Sequence, residues 1–123
     1  MPASDLDTAR QFQAAAEHAL RTGDFDGIAA LLAPDVECVT PQHSLHGAGA
    51  MLEELKRSRP TGSFELEFEG GDWNDLGNGR YACNLSAFYR STVRDDLSYS
   101  RDRSFELTIE DGKVSRYEMR FAG

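Results

Sequence analysis

Apolar residues recur at helical spacing only in the first half of the chain. Leu6, Ala9, Phe12, Ala16, Ala19 and Leu20 fall on one stripe, the pattern of an amphipathic helix with one buried face. Ser4 stands where an N-cap belongs, Asp5 and Asp7 occupy the first turn, where the helix dipole favours negative charge, and Gly23 supplies a stop. Asp24 is expected to cap a second helix, DFDGIAALLA, with Phe25, Ile28, Leu31 and Leu32 on one face and Pro34 barring continuation. After Asp35 the run VECVTP reads as a short strand. A third helix, roughly AGAMLEELKRSR, is predicted after Gly47 and is closed by Pro60 and Gly62. The stretch TPQHSLHG before it reads as a connection.

From Ser63 onward the period becomes two. SFELEFE sets Phe64, Leu66 and Phe68 against Glu65, Glu67 and Glu69, one buried and one wet face of an antiparallel sheet. RYACNLSAFYRSTV, SYSRDRSFELTIE and KVSRYEMRF read as three further, long strands, separated by RDDL and by a tight turn at Asp111 and Gly112. GGDWNDLGNG reads as a wide turn in which Asp72 and Asp75 are turn formers and Trp73 a lid or packing residue. Long strands must twist and curl, and the three N-terminal helices are the elements available to cover the concave side. The fold class is therefore α+β: a cone-shaped, strongly curved, mostly antiparallel sheet under three helices, in a single domain spanning residues 1–123.

Composition narrows the partners. At 123 residues and 40% hydrophobic content the chain can bury a core without a structural metal. A net charge of −8, spread along the sequence, makes nucleic acid an unsuitable partner. No apolar run approaches the roughly 20 residues that span a bilayer, and the acidic N-terminus does not resemble a secretory signal; the cytoplasm is the expected location, with no membrane partner. Cys38 and Cys83 lack metal-type spacing and are expected to be buried thiols.

The order helix, helix, short strand, helix, long strands resembles the nuclear transport factor 2-like superfamily. TGDFDGIAALLAPDVECVTP, residues 22–41, is similar to the opening of its ketosteroid isomerase and SnoaL-like polyketide cyclase members, with His46 and Gly47 opening the third helix and FELTIEDGKVSRYEMRF matching the final hairpin. The resemblance implies the cone fold, also called cystatin-like, but no single activity, because such folds host isomerases, dehydratases, cyclases, hydrolases and non-catalytic domains. The isomerase uses an aspartate base before a proline, with a tyrosine and a protonated carboxylic acid as oxyanion donors. The corresponding positions here hold Thr40, Ala16 and Arg103. A threonine hydroxyl is a poor proton acceptor at neutral pH, so ketosteroid isomerisation is not expected.

Strand register then selects an interior. Thr40, Cys38, Tyr81, Cys83, Leu85, Tyr89, Arg103, Phe105, Tyr117 and Met119 are expected to face a chamber with scarcely any acidic groups. Thr40, Tyr81, Tyr89, Arg103, Phe105 and Met119 are the candidate ligand-binding residues. Arg103 has three readings: a clamp for a carboxylate or enolate, a structural ion pair with Glu118, Asp102 or another internal acid, or an arginine that a one-residue change of strand register turns to solvent. Imidazole is the side chain best suited to passing protons in neutral water, so His46 and His43, with Tyr117, are the candidate catalytic residues. No metal or cofactor is expected, since H-E-x-x-H is absent and Glu37 falls on the opposite strand face from Thr40. Two functions remain open: proton-transfer chemistry on a small apolar or anionic compound, or a non-catalytic ligand-binding or assembly domain. Arginines interleaved with glutamates on the convex face, together with an outward Phe88, point to a homodimer formed through the sheet.

Overall fold

The computed structural model describes residues 4–57, 59 and 64–121. Helix α1 (Asp5–Thr22) begins and ends on the residues its sequence sets out. Ser4 Oγ accepts the Asp7 backbone N–H at 3.1 Å. Gly23, at φ 84°, turns its own N–H back onto the Ala19 carbonyl, the left-handed cap that glycine adopts without steric cost. The buried stripe Ala9, Phe12 and Ala19 joins the core beneath.

The second helix is shorter than its apolar run suggests. Helix α2 covers only Asp26–Ala29, and Asp24 bonds the Asp26 N–H at 3.1 Å instead of capping a longer helix. Strand β1 (Leu32–Val39) already begins two residues before Pro34. The cause is non-local: the Val114 N–H bonds the Leu31 carbonyl at 2.8 Å and Leu32 stands opposite Val114, so the last strand draws this segment into extended pairing. The histidine stretch differs too. Ser44–His46 forms a short strand, β2, folded back on β1 through a turn in which Thr40 Oγ1 accepts the N–H groups of Gln42 and His43.

Helix α3 (Ala48–Arg57) follows, then β3 (Phe64–Gly70), β4 (Asn74–Gly77), β5 (Arg80–Ser91), a short helical turn at Asp95–Leu97, β6 (Tyr99–Glu110) and β7 (Lys113–Phe121). Pro60 and Gly62, the expected stops after α3, lie outside the described residues. β4 falls inside the segment read as a wide turn and pairs with β5. The sheet order is β2-β1-β7-β6-β5-β3, antiparallel throughout except for the parallel pair β1–β7. Asp111 and Gly112 both take positive φ, 53° and 74°, as a two-residue hairpin requires. Gly70 is needed for a different reason: a Cβ there would meet the Asn84 carbonyl oxygen at 2.7 Å and Leu85 Cα at 2.8 Å.

The two faces of this curved, unclosed sheet divide cleanly. Tyr81, Cys83, Leu85, Ala87 and Tyr89 alternate inward along β5, meeting Leu107 and Ile109 of β6, Val114 and Tyr117 of β7, and Val36 and Cys38 of β1. Cys38 and Cys83 are buried free thiols. The convex face carries ion pairs, among them Arg116 with Glu37 at 3.5 Å and with Glu118 at 3.3 Å, and Arg90 with Glu67 at 3.6 Å. Among the described residues no helix is long and apolar enough to cross a membrane.

Candidate functional site

Between α1, α3 and the concave sheet lies a cavity of about 70 Å3. Its walls are mainly apolar, built from Phe12 and Leu20 of α1, Leu55 of α3, Phe68 of β3, Phe105 of β6 and Met119 of β7. The strand period delivers the sheet residues: Cys38, Tyr117 and Leu107 form one row across neighbouring strands, while Met119 and Phe105 form the next.

The polar groups at the cavity are few and incompletely satisfied. Arg103, opposite Leu85 and Phe121, donates from Nη2 to the Tyr89 hydroxyl at 3.0 Å, yet its Nε is buried without a hydrogen-bond partner. Trp73 is 7% exposed and its Nε1–H is likewise unpartnered. Glu54 of α3 also lines the cavity, with Oε2 buried and making no hydrogen bond. Its nearest cations are Arg57 Nη1 at 3.6 Å and His43 Nε2 at 4.0 Å. Orphaned buried polar atoms are uncommon because each forfeits hydration without replacement. All three belong to residues that line one small cavity.

Electrostatics set the character of the remaining groups. Burial, followed by the neighbouring Cys38 and the Glu54 carboxylate and opposed by Arg103, pushes the Tyr117 phenol well above its ordinary range. It is therefore an O–H donor at neutral pH. Burial, then Glu54, pushes the Cys38 thiol up to about 11, so it is neither nucleophile nor metal-ready thiolate under ordinary conditions. Trp73 is placed by a latch. The Trp73 N–H bonds Asp72 Oδ1 at 2.8 Å, and Asp72 pairs with Arg10 of α1, whose guanidinium holds that carboxyl down at about 2.

The sequence-derived candidates are thus partly assembled. Arg103, Thr40, Phe105, Met119 and Tyr117 line the cavity. Thr40 does so with its hydroxyl engaged in the β1–β2 turn. Tyr81 does not reach the cavity: it stands four residues from Leu85 on β5, about 13 Å along the strand, in the closed core opposite Leu107. Tyr89 packs with Leu66 and Ala87 and touches the site only through Arg103. His46 is exposed and faces away, because it pairs with Glu37 of the outer face while Leu45 pairs with Cys38 of the inner one. His43 is exposed as well and meets the site from outside, through Glu54. A chamber several times larger, with Arg103 and His46 facing each other, is not what the fold builds. Neither of the expected structural partners takes Arg103: Asp102 accepts from Ser86 Oγ, and Glu118 pairs with Arg116 and Arg120.

Glu54 overturns the expectation of an interior almost without acids. A signal for it exists in the sequence. It lies three residues after Met51 and directly before Leu55, on the apolar stripe of α3, whereas Glu53 points to solvent. Among the described residues, no three of His, Cys, Asp and Glu gather as a metal ion would need.

A helix-roofed, curved sheet with a cavity on its concave side is the nuclear transport factor 2-like architecture, and comparison with known proteins agrees. The profile of the SnoaL-like domain matches residues 12–117, and the chain belongs to that family. An NTF2-like protein from Anabaena variabilis ATCC 29413 superposes with a TM-score of 0.79 at 14% identity, over 100% of this chain and 94% of its own. A protein provisionally named an isomerase, from Rhodopseudomonas palustris, gives 0.78 at 14% identity, over 98% and 91% of the two chains. An LEH-like epoxide hydrolase from M. tuberculosis gives 0.69 at 16% identity, over 96% and 82%. No curated protein matches the sequence.

Proposed function

We propose that the cavity is an active site for proton transfer on a small organic compound, with Glu54 taking and returning the proton. The observation behind this reading is the presence of Glu54 Oε2, Trp73 Nε1 and Arg103 Nε, all buried without a hydrogen-bond partner, on residues that line one apolar void with Tyr117. Such a constellation provides a proton acceptor and fixed donors in a water-poor setting, where both act most strongly.

In the proposed reaction Glu54 removes a proton from a carbon beside a carbonyl. The C–H electron pair forms a C=C bond and the carbonyl pair moves onto oxygen. Tyr117 O–H and Trp73 Nε1–H stabilise that oxyanion. Return of the proton to the same carbon gives exchange; in a β,γ-unsaturated ketone its return to the γ-carbon, as the double bond shifts into conjugation, completes an isomerisation without oxidant or reductant. The carboxylate on α3 thereby takes over a task that Thr40 cannot perform. His43, at the outer edge of Glu54, offers a proton path to solvent; His46 has no part. A cavity of about 70 Å3 suits a compact compound and not a steroid, since drug-sized ligands occupy roughly 300 Å3 or more.

The test is hydrogen–deuterium exchange in D2O, followed by proton NMR on cyclohexanone and short ketones. Faster exchange with the native protein than with E54Q supports the reading, and equal rates refute it. Binding without exchange would instead favour a non-catalytic ligand-binding domain. We also propose a homodimer through the convex face, centred on Phe88, which is 37% exposed there. Light scattering should then give twice the chain mass, reduced to one by F88D; a monomeric native protein would refute this.

A further inference from the structure

We infer that the compound taken by this cavity is a short-chain keto acid, its carboxylate held by Arg103 and its carbonyl-activated C–H presented to Glu54. The inference rests on the proton-transfer reading and goes beyond it by fixing the substrate class.

Arg103 is the first observation. Its Nη2 is committed to Tyr89, its Nε is buried and unpartnered, and among the described residues no carboxylate lies within ion-pair reach of it. Its neighbours on the inner face are apolar: Leu85 on β5, and Phe121 on β7 with its ring 5.8 Å from Cζ. A guanidinium keeps its charge at any accessible pH, so an unpaired N–H at the edge of an apolar void is an anion site, and the planar fork suits a carboxylate best.

The second observation is that Glu54 does not supply that anion. Glu54 hangs from α3, which packs on β1 and β2, whereas Arg103 belongs to β6, two strands across from β1. Two strand spacings amount to about 9–10 Å. Opposite charges thus border one apolar cavity and fail to meet. Tyr117, on the strand between, feels both of them, Arg103 favouring and Glu54 opposing ionisation of its phenol.

An occupant can satisfy all three only in one order: negative oxygen at Arg103, neutral carbonyl oxygen at Tyr117, hydrogen-bearing carbon at Glu54. A neutral ketone leaves Arg103 unpaired. A dicarboxylate sets its second charge against Glu54. The cavity of about 70 Å3 keeps the chain between the two ends short.

The probes are levulinate (4-oxopentanoate), its methyl ester and pentanoate, with Trp73, the single tryptophan of the chain, as fluorescence and indole N–H NMR reporter. Levulinate should shift the Trp73 signals and bind about tenfold or more tighter than methyl levulinate, the scale of one charge-assisted contact. R103M should erase that difference. E54Q should retain levulinate binding while losing exchange of its C3 and C5 hydrogens for deuterium, and pentanoate should bind without exchanging. Equal binding of acid and ester by the native protein overturns the inference, as does an undiminished preference in R103M. The comparison of acid with ester needs no variant, so a poorly folded R103M leaves the test intact. Exchange of cyclohexanone without any carboxylate preference would sink only the keto acid; carboxylate preference without exchange would sink only the proton-transfer reading.

Discussion

The two faces of the sheet treat charge in opposite ways. On the convex side Arg116 sits between Glu37 and Glu118, Arg80 bonds Glu106, and Arg90 reaches Glu67, so the arginines there answer nearby acids in the presence of water. On the concave side Arg103 and Glu54 share a cavity without pairing with each other, and each keeps a buried polar atom that makes no hydrogen bond, Glu54 reaching only Arg57 and His43 at its outer edge. Exposed pairs contribute little to stability, whereas unmatched buried charge opposes folding. The difference teaches that the outer charges are paired and hydrated at little cost, while the inner ones oppose folding, a cost that the proposed binding site would account for.

Substitutions can break this contrast, and the largest effect is expected at Glu54. E54Q should slow deuterium exchange by about 10²- to 10⁴-fold, the usual worth of a general base, while melting no earlier than the native protein. A lower melting temperature would mark Glu54 as a structural residue instead. Leu107, fully buried on the same face, provides the opposite control. Leu107→Ala should cost about 2–5 kcal/mol in denaturant titration, and a loss below 1 kcal/mol would show that the concave core is looser than its packing indicates.

Cys38 gives a pH signature. Its folded pKa, about 11, lies above the ordinary 9.0, so the stability it contributes is complete below about pH 9 and is lost as pH rises towards 11. The native protein should leave Cys38 unalkylated at pH 8, and its melting temperature should fall more steeply than that of C38A between pH 9 and 11. Parallel curves would dismiss the burial argument. The smallest change is expected outside: Arg116→Ala should shift stability by less than about 1 kcal/mol at moderate salt, a size that denaturant titration resolves from the Leu107 variant.

Local pattern made most of this architecture readable. Strict alternation placed β3, β5, β6 and β7, and a capped amphipathic stripe placed α1, because each signal is complete within its own segment. The boundary between α2 and β1 was not legible: Leu31 and Leu32 suit a helix and a strand equally, and Val114, more than 80 residues away, decides between them. The site was half legible for the same reason. Arg103, Phe105, Tyr117 and Met119 follow from strand parity, but the turn that points His46 outward and the tilt that brings Glu54 inward depend on how β2 and α3 dock.

The parallel pairing of β1 with β7 also bears on biosynthesis. A nascent chain can form its first helices early, but the floor they rest on is incomplete until Lys113–Phe121 has been made and can lie beside Leu32–Val39. Contacts this distant in sequence close slowly. During translation the apolar stripe of α1 therefore lacks its full cover until the last strand is in place.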